Sequence, residues 1–221
     1  MKKLSLRLET LLSMIPTNVH YLVDVGADHG YFILEALERK QIERGMAVEN
    51  KKGPYTHLVE MVKKYHFEEQ VETSFSSGLE KVKVPLDLAL IAGMGTPTIL
   101  SILHHDIEKL KDIHYLLIDA HNQLPELRKE VTRLGYKIID EEIVEEEQVF
   151  YELVLFERGE ESYLQEDYDF GPILRKEKDA IFKKKWQGKI QKNFELLKNP
   201  LLTENRKKEL MDEIHYWEKQ L

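Results

Sequence analysis

The segment Asp24-Val25-Gly26-Ala27-Asp28-His29-Gly30 sets two glycines among acidic side chains, between a short apolar run and a helix-like stretch. Gly26 permits a tight turn and Gly30 lets the following helix come close, so amides at that helix start can face a polar or charged ligand. The spacing is not GxGxxG, because Asp28 stands where the middle glycine would be. A pyrophosphate would be repelled by that carboxylate, whereas the positive sulfonium of S-adenosylmethionine would be welcomed. The loop therefore favours S-adenosylmethionine over a nicotinamide dinucleotide, with Asp24, Gly26, Asp28, His29 and Gly30 as candidate cofactor contacts.

A second acidic position follows about 20 residues later, where Glu49 and Asn50 end the run GMAV. An acid at the end of a second strand can accept both ribose hydroxyls of an adenosyl group. A third candidate is Ile91-Ala92-Gly93-Met94-Gly95-Thr96, after a strand-like run. Its glycines let the backbone approach a ligand at the carboxyl edge of a sheet, where open α/β folds place their sites. His29 and His121 lack metal-ligand spacing and cysteine is absent, so no metal is expected.

These residues need a scaffold, and the apolar periodicity supplies one. Runs at 21–25, 45–48, 71–75, 86–92 and 115–119 alternate with helix-spaced stretches such as Tyr55, Leu58, Val59 and Val62. That rhythm calls for a mostly parallel sheet covered by helices on both faces. A helix is expected over 124–134, begun at Pro125 and closed by Gly135. The runs 136–146 and 148–158 are too close for a crossover helix, so they should pair antiparallel. A parallel sheet ending in such a hairpin is the arrangement of class I methyltransferases. The expected organisation is thus an α/β, Rossmann-like domain over residues 1–160 and a helical, coiled-coil-like domain over 161–221. In the latter, Phe182, Trp186, Ile190, Phe194 and Leu197 form one stripe and Leu210, Ile214, Trp217 and Leu221 another, separated at Asn199-Pro200.

The chain has 221 residues, 42% of them hydrophobic, which is enough for a sizeable core. The apolar residues near the N-terminus are interrupted by Arg7, Glu9 and Thr10, unlike a signal peptide, and no run is long enough to span a bilayer. A cytoplasmic protein without membrane association is expected, and the lack of cysteine suits that reducing compartment. The net charge of −8 argues against a general nucleic-acid coat. The charge is uneven, however: 139–169 is acidic, while 175–192 carries eight lysines and arginines against Glu177 and Asp179. A local basic face of that kind is sufficient to contact phosphates.

The segments LSLRLETLLSMIP, DVGADHGYF, AVENKKGPY, IAGMG, FYELVL, FGPIL and KKWQGKI occur in this order. Together they resemble the bacterial tRNA (adenine-22-N1)-methyltransferase family, TrmK, from Leu4 to about Ile190. The resemblance implies methyl transfer from S-adenosylmethionine to adenine N1 in the D-arm region of tRNA. It matches Ala27-Asp28-His29-Gly30-Tyr31 to the family's loop and places Asp28, His29, Gly30, Glu49, Ala92, Gly93 and Met94 at the cofactor, with Arg7, Tyr31 and Gly95 on the substrate side. Ser77 and Gly78 would hold the cofactor adenine; serine stands where the family has an acid or amide and accepts a hydrogen bond more weakly. Ala120-His121-Asn122 keeps only the asparagine of the family's QPN, Thr96 replaces a glycine, and Val149 replaces a lysine.

On this reading Asp28 orients the target base or accepts its amine proton, Asn122 hydrogen-bonds the base edge and Tyr31 stacks on it. Lys183, Lys184 and Lys185 grip tRNA phosphates, with the protein acting as a monomer. Two rivals stay open. A nicotinamide-dependent oxidoreductase would be separated by nucleotide-dependent thermal shifts. A non-catalytic tRNA-binding descendant, suggested by Ser77 and the altered QPN, would bind without turnover.

Overall fold

A computed structural model describes residues 3–221; Met1 and Lys2, part of the basic N-terminal start, lie outside the described residues. The first half alternates α1 (Leu6–Ser13), β1 (Tyr21–Val25), α2 (Tyr31–Glu38), β2 (Arg44–Glu49), α3 (Lys52–Lys64), β3 (Val71–Phe75) and β4 (Leu86–Met94). It continues with α4 (Thr96–His105), α5 (Ile107–Leu110), β5 (Ile113–Ala120), α6 (Leu124–Arg133), β6 (Tyr136–Glu146) and β7 (Val149–Arg158). The seven strands form one sheet in the order β3-β2-β1-β4-β5-β7-β6. The first five pair in parallel, and β7 runs antiparallel between β5 and β6.

The central strands are apolar on both faces because both are covered. Leu22, Leu88, Leu90 and Leu117 pack beneath α1, α2 and α3 with Leu11, Phe32 and Leu58. Their neighbours Val23, Ala89, Ile91 and Leu116 face Ile99, Leu103 and Leu127 of α4 and α6. Adjacent residues thus enter opposite cores, as the two-residue period of a strand requires. Strand order reverses between β1 and β4, and the carboxyl ends of these strands flank the crevice where α/β sheets hold ligands.

Beyond the sheet lie four helices, α7 (Gln165–Phe170), α8 (Leu174–Glu177), α9 (Ala180–Leu197) and α10 (Glu204–Glu218), where two long ones were expected. Contacts between Trp186 and Trp217 and between Asn193 and Glu213 show that α9 and α10 run antiparallel. Phe170, Phe182 and Trp186 form a third apolar cluster with Ile143 of β6, which seats this helical unit on the sheet. Phe194 departs from the expected stripe and is 39% exposed. The buried face of α9 instead runs through Phe182, Lys185, Trp186, Ile190 and Asn193. Among the described residues no helix is long and apolar enough to cross a membrane.

Candidate active site

The loop after β1 is built as its residues dictate. The Gly26 and Ala27 amides both donate to the Val48 carbonyl, at 2.8 and 2.9 Å, which turns the chain sharply across the end of β2. Gly30 begins α2 with φ +73°, and a Cβ there would lie 2.4 Å from Leu58 Cδ1, so only glycine lets α2 and α3 come this close. Asp28 also has positive φ, at 49°, which an aspartate tolerates better than most residues.

Glu49 is buried and fixes that loop. Its Oε2 accepts the Asp28 amide at 3.1 Å, and its Oε1 accepts the amides of Asn50 and Lys51 at 2.8 and 2.7 Å. A carboxylate offers about four acceptor positions. Three amides therefore leave room for one hydroxyl, where the sequence suggested two.

Two cavities meet at Gly26. The first, about 380 Å3, is lined by Gly26, Asn50, Ser77, Gly78, Met94 and neighbouring residues of α4. The second, about 330 Å3, is lined by Arg7, Asp24, Asp28, His29, Tyr31, Ala92 and Gly93, among others. Glu49, Gly30, Gly95 and Asn122 are not part of either lining, although the first two shape the loop from behind. Asn122 is exposed beside Gly95, and its Oδ1 accepts the Thr96 amide at 3.2 Å. Thr96 Oγ1 in turn donates to the Asn122 carbonyl at 2.6 Å. The asparagine thus secures the start of α4, leaving its Nδ2 as the group that can face a ligand.

The second cavity is acidic. Asp24 is 4% exposed, and burial, with Glu49 and then Asp28 adding repulsion, pushes its carboxyl up to about 7. No basic side chain among the described residues pairs with it. Asp28 Oδ2 lies 3.7 Å from His29 Nε2, and His29 meets the rings of His57 and Tyr31 edge-on at 4.6 and 5.9 Å. Arg7 reaches across from α1 to pair with Asp119 at 2.8 Å, with its guanidinium 4.6 Å from the Tyr151 ring centroid. Burial raises the Asp119 carboxyl, while Arg7, then His121 and the Gly93 amide, oppose that rise. Among the described residues no cluster of metal-ligand type is formed.

The lysine face requires a correction. Lys185 is buried and pairs with Glu152, because Glu152 and Glu141 share the fully buried Arg128 at 2.6 and 2.8 Å and need compensating charge. It is therefore unavailable to phosphates. Lys184 is exposed but pairs with Glu145, and Lys183 is exposed with no ion pair among the described residues. Sequence reasoning missed this network, and also Asp119, Tyr151 and His57. One signal was legible: single acids inside the apolar runs LLIDA and YELVLF demand buried partners.

The mixed sheet with β7 inserted antiparallel, and the glycine–acid loop at its switch point, define a Rossmann-like methyltransferase fold. Residues 22–219 match the family "TrmK: tRNA (adenine(22)-N(1))-methyltransferase", and the chain belongs to that family. It is 30% identical over 220 residues to the tRNA (adenine(22)-N(1))-methyltransferase of Bacillus subtilis, covering 95% of this chain and 92% of that one. The crystal structure of the B. subtilis m1A22 tRNA methyltransferase TrmK superposes with a TM-score of 0.85 at 29% identity, over 100% of this chain and 99% of that one. A Streptococcus pneumoniae protein crystallised in complex with S-adenosyl-L-methionine superposes with a TM-score of 0.90 at 31% identity, over 99% and 100% of the chains.

Proposed function

We propose that this protein methylates N1 of adenine 22 in tRNA, with S-adenosylmethionine as methyl donor, acting as a monomer in the cytoplasm. The observation that carries this reading, within a chain of this family, is the buried Asp24 carboxylate, paired with no basic group among the described residues and open to a cavity at Gly26. A cavity where the Arg7 guanidinium is already paired with Asp119, while Asp24 and Asp28 face it, fits a cationic ligand and disfavours a pyrophosphate. S-adenosylmethionine, when bound, supplies a methyl group made electrophilic by its sulfonium. Glu49, Asn50, Ser77, Gly78 and Met94 are assigned to the adenosyl part, and Asp24, Gly26, His29, Ala92 and Gly93 to the charged part.

Adenine N1 attacks through a lone pair and needs no prior deprotonation. The protein's task is chiefly to position the two reactants, an effect worth roughly 7–11 kcal/mol. Asp28 is the acceptor for the exocyclic amine, which orients the base and takes up its proton. Tyr31 offers a ring to stack on, and Asn122 Nδ2 a donor to the base edge. Unstacking the nucleotide costs a few kcal/mol, which phosphate contacts from Lys183 and its exposed neighbours offset.

The experiment is transfer of labelled methyl from S-adenosylmethionine to an unmodified tRNA transcript, followed by nucleoside analysis. The expected product is 1-methyladenosine, absent when adenine 22 is replaced by guanine. Intact cofactor binding with no transfer to tRNA would refute the reading.

A further inference from the structure

Lys109 of α5 gathers the loop that follows β3. Its Nζ donates to the Leu79 carbonyl at 2.6 Å and to the Glu80 carbonyl, and it lies 3.6 Å from Asp106 Oδ1. An ammonium has three donors and no acceptor, so these three partners occupy all of it. The lysine stands on a firm base: the adjacent Leu110 is buried in the core, and its carbonyl accepts the Tyr136 hydroxyl at 2.9 Å. The loop it reaches is irregular. The Ser76 amide donates to the Glu49 carbonyl at 3.2 Å, which ties the loop to the end of β2. Gly78 has φ +53°, and a Cβ there would lie 3.0 Å from Ile102 Cγ2. The amides of Ser77 and Gly78 donate to no acceptor among the described residues. Both residues line the first cavity, of about 380 Å3, and an adjoining hollow of about 300 Å3 that continues to Glu80 and Asp106.

We infer that Lys109 is a positioning residue for the cofactor: it fixes the Leu79 and Glu80 carbonyls so that the loop presents Ser77 and Gly78 to the adenine of S-adenosylmethionine. This deepens the methyltransferase reading above and rests on its assignment of Ser77 and Gly78 to the adenosyl part. Lys109 lines neither cavity, so its effect is carried through the backbone. The loop's own turn bonds are few, from the Glu80 amide to the Ser77 carbonyl at 3.3 Å and from the Val82 amide to the Leu79 carbonyl at 2.9 Å. A serine hydroxyl also holds an amino group more weakly than a carboxylate does, so its placement matters more. Without the ammonium, two carbonyls lose their shared donor and the free amides beside them lose their aim.

The test uses the full chain with Lys109→Met, Lys109→Arg, Ser77→Ala and the Lys109→Met/Ser77→Ala double variant. The probes are S-adenosylhomocysteine and S-inosylhomocysteine, which differ only at the 6-position edge of the purine, titrated by calorimetry. Lys109→Met is expected to raise the KM for S-adenosylmethionine about tenfold, while kcat at saturating cofactor stays within about twofold, the pattern of lost uniform binding. Its preference for S-adenosylhomocysteine over S-inosylhomocysteine should shrink towards that of Ser77→Ala. Lys109→Arg should restore most of that preference, because a guanidinium can still donate to both carbonyls. The double variant should show less than the sum of the two single effects, since both act on one contact. A loss of stability alone would lower Tm and leave the preference between the two ligands unchanged. An unaltered preference in Lys109→Met, or full additivity in the double variant, overturns the proposal. If Lys109→Met does not fold, Lys109→Gln decides: one atom shorter, it must weaken the preference, and an unaltered preference refutes the idea. No binding of S-adenosylhomocysteine by the natural protein would count against the cofactor reading itself, whereas binding indifferent to Lys109 counts against this role alone.

Discussion

Glu49 Oε2 accepts the backbone N–H of Asp28 at 3.1 Å, tying the end of β2 to the loop that follows β1. The same carboxylate accepts the amides of Asn50 and Lys51, so one buried charge organises both loops at the switch point of the sheet. Truncating it should therefore disturb binding and stability together. Glu49→Ala is expected to weaken S-adenosylmethionine binding at least about tenfold and to destabilise the fold, since each hydrogen bond to a charged group contributes roughly 1.5–3 kcal/mol. Calorimetric titration and a thermal melt check this, and Glu49→Gln should fall between the two.

Asp24 carries a pH signature. Its folded-state carboxyl titrates at about 7, against an ordinary value of 3.8. Between those values the folded chain holds a proton that the unfolded chain has released, so stability falls as pH rises through that window. Asp24→Asn removes the penalty and should raise Tm above pH 7, by up to about 4 kcal/mol of stability, with little gain near pH 4. The natural protein should bind S-adenosylmethionine more tightly as pH rises through about 7, releasing a proton. Melts and titrations across that range measure both effects.

Asp28→Ala separates chemistry from binding. Turnover on tRNA should be lost while cofactor affinity stays within a few-fold, because Glu49 holds the loop through the Asp28 backbone and not its side chain. Near-normal turnover in this variant would remove Asp28 from the mechanism.

Arg128 is the hinge pin between sheet and helical unit: it is fully buried, pairs with Glu141 and Glu152, and donates to the Tyr168 carbonyl at 3.1 Å. Arg128→Met leaves two buried carboxylates short of charge and should cost about 3–5 kcal/mol. Denaturant titration is the appropriate measurement. Burial pushes the Glu152 carboxyl up, but Lys185 and then Arg128 outweigh it and hold it well below its usual range, so this part of the stability is lost as pH falls below about 4.5.

The exposed lysines of α9 should behave differently from the buried one. Lys183→Glu with Lys192→Glu is expected to weaken tRNA binding and to reduce the slope of log affinity against log salt by about 0.7–0.9 per lost contact. Lys185→Met should lower Tm instead. Filter binding at several salt concentrations, with a melt for each variant, distinguishes the two.

Local patterning along the chain was enough to read the strands, the long helices and the loop chemistry. The runs 21–25, 71–75 and 136–146 coincide with β1, β3 and β6, because a strand's apolar patterning is a local property of the chain. The glycines at 26 and 30 and the acid at 49 were legible for the same reason: a turn and a strand end constrain residue type where they occur. Helix α9 and the buried positions Phe182, Trp186 and Ile190 were read from apolar spacing, but Phe194 lies exposed where Lys185 and Asn193 are buried. Packing in three dimensions was needed to bring Lys185 to Glu152, Asn122 to Thr96 and Arg7 to Asp119. Each of these is a pairing of charges or polar groups distant along the chain. Their partners are selected by which buried group needs compensation, a demand that exists only once the sheet and helices have excluded water around it.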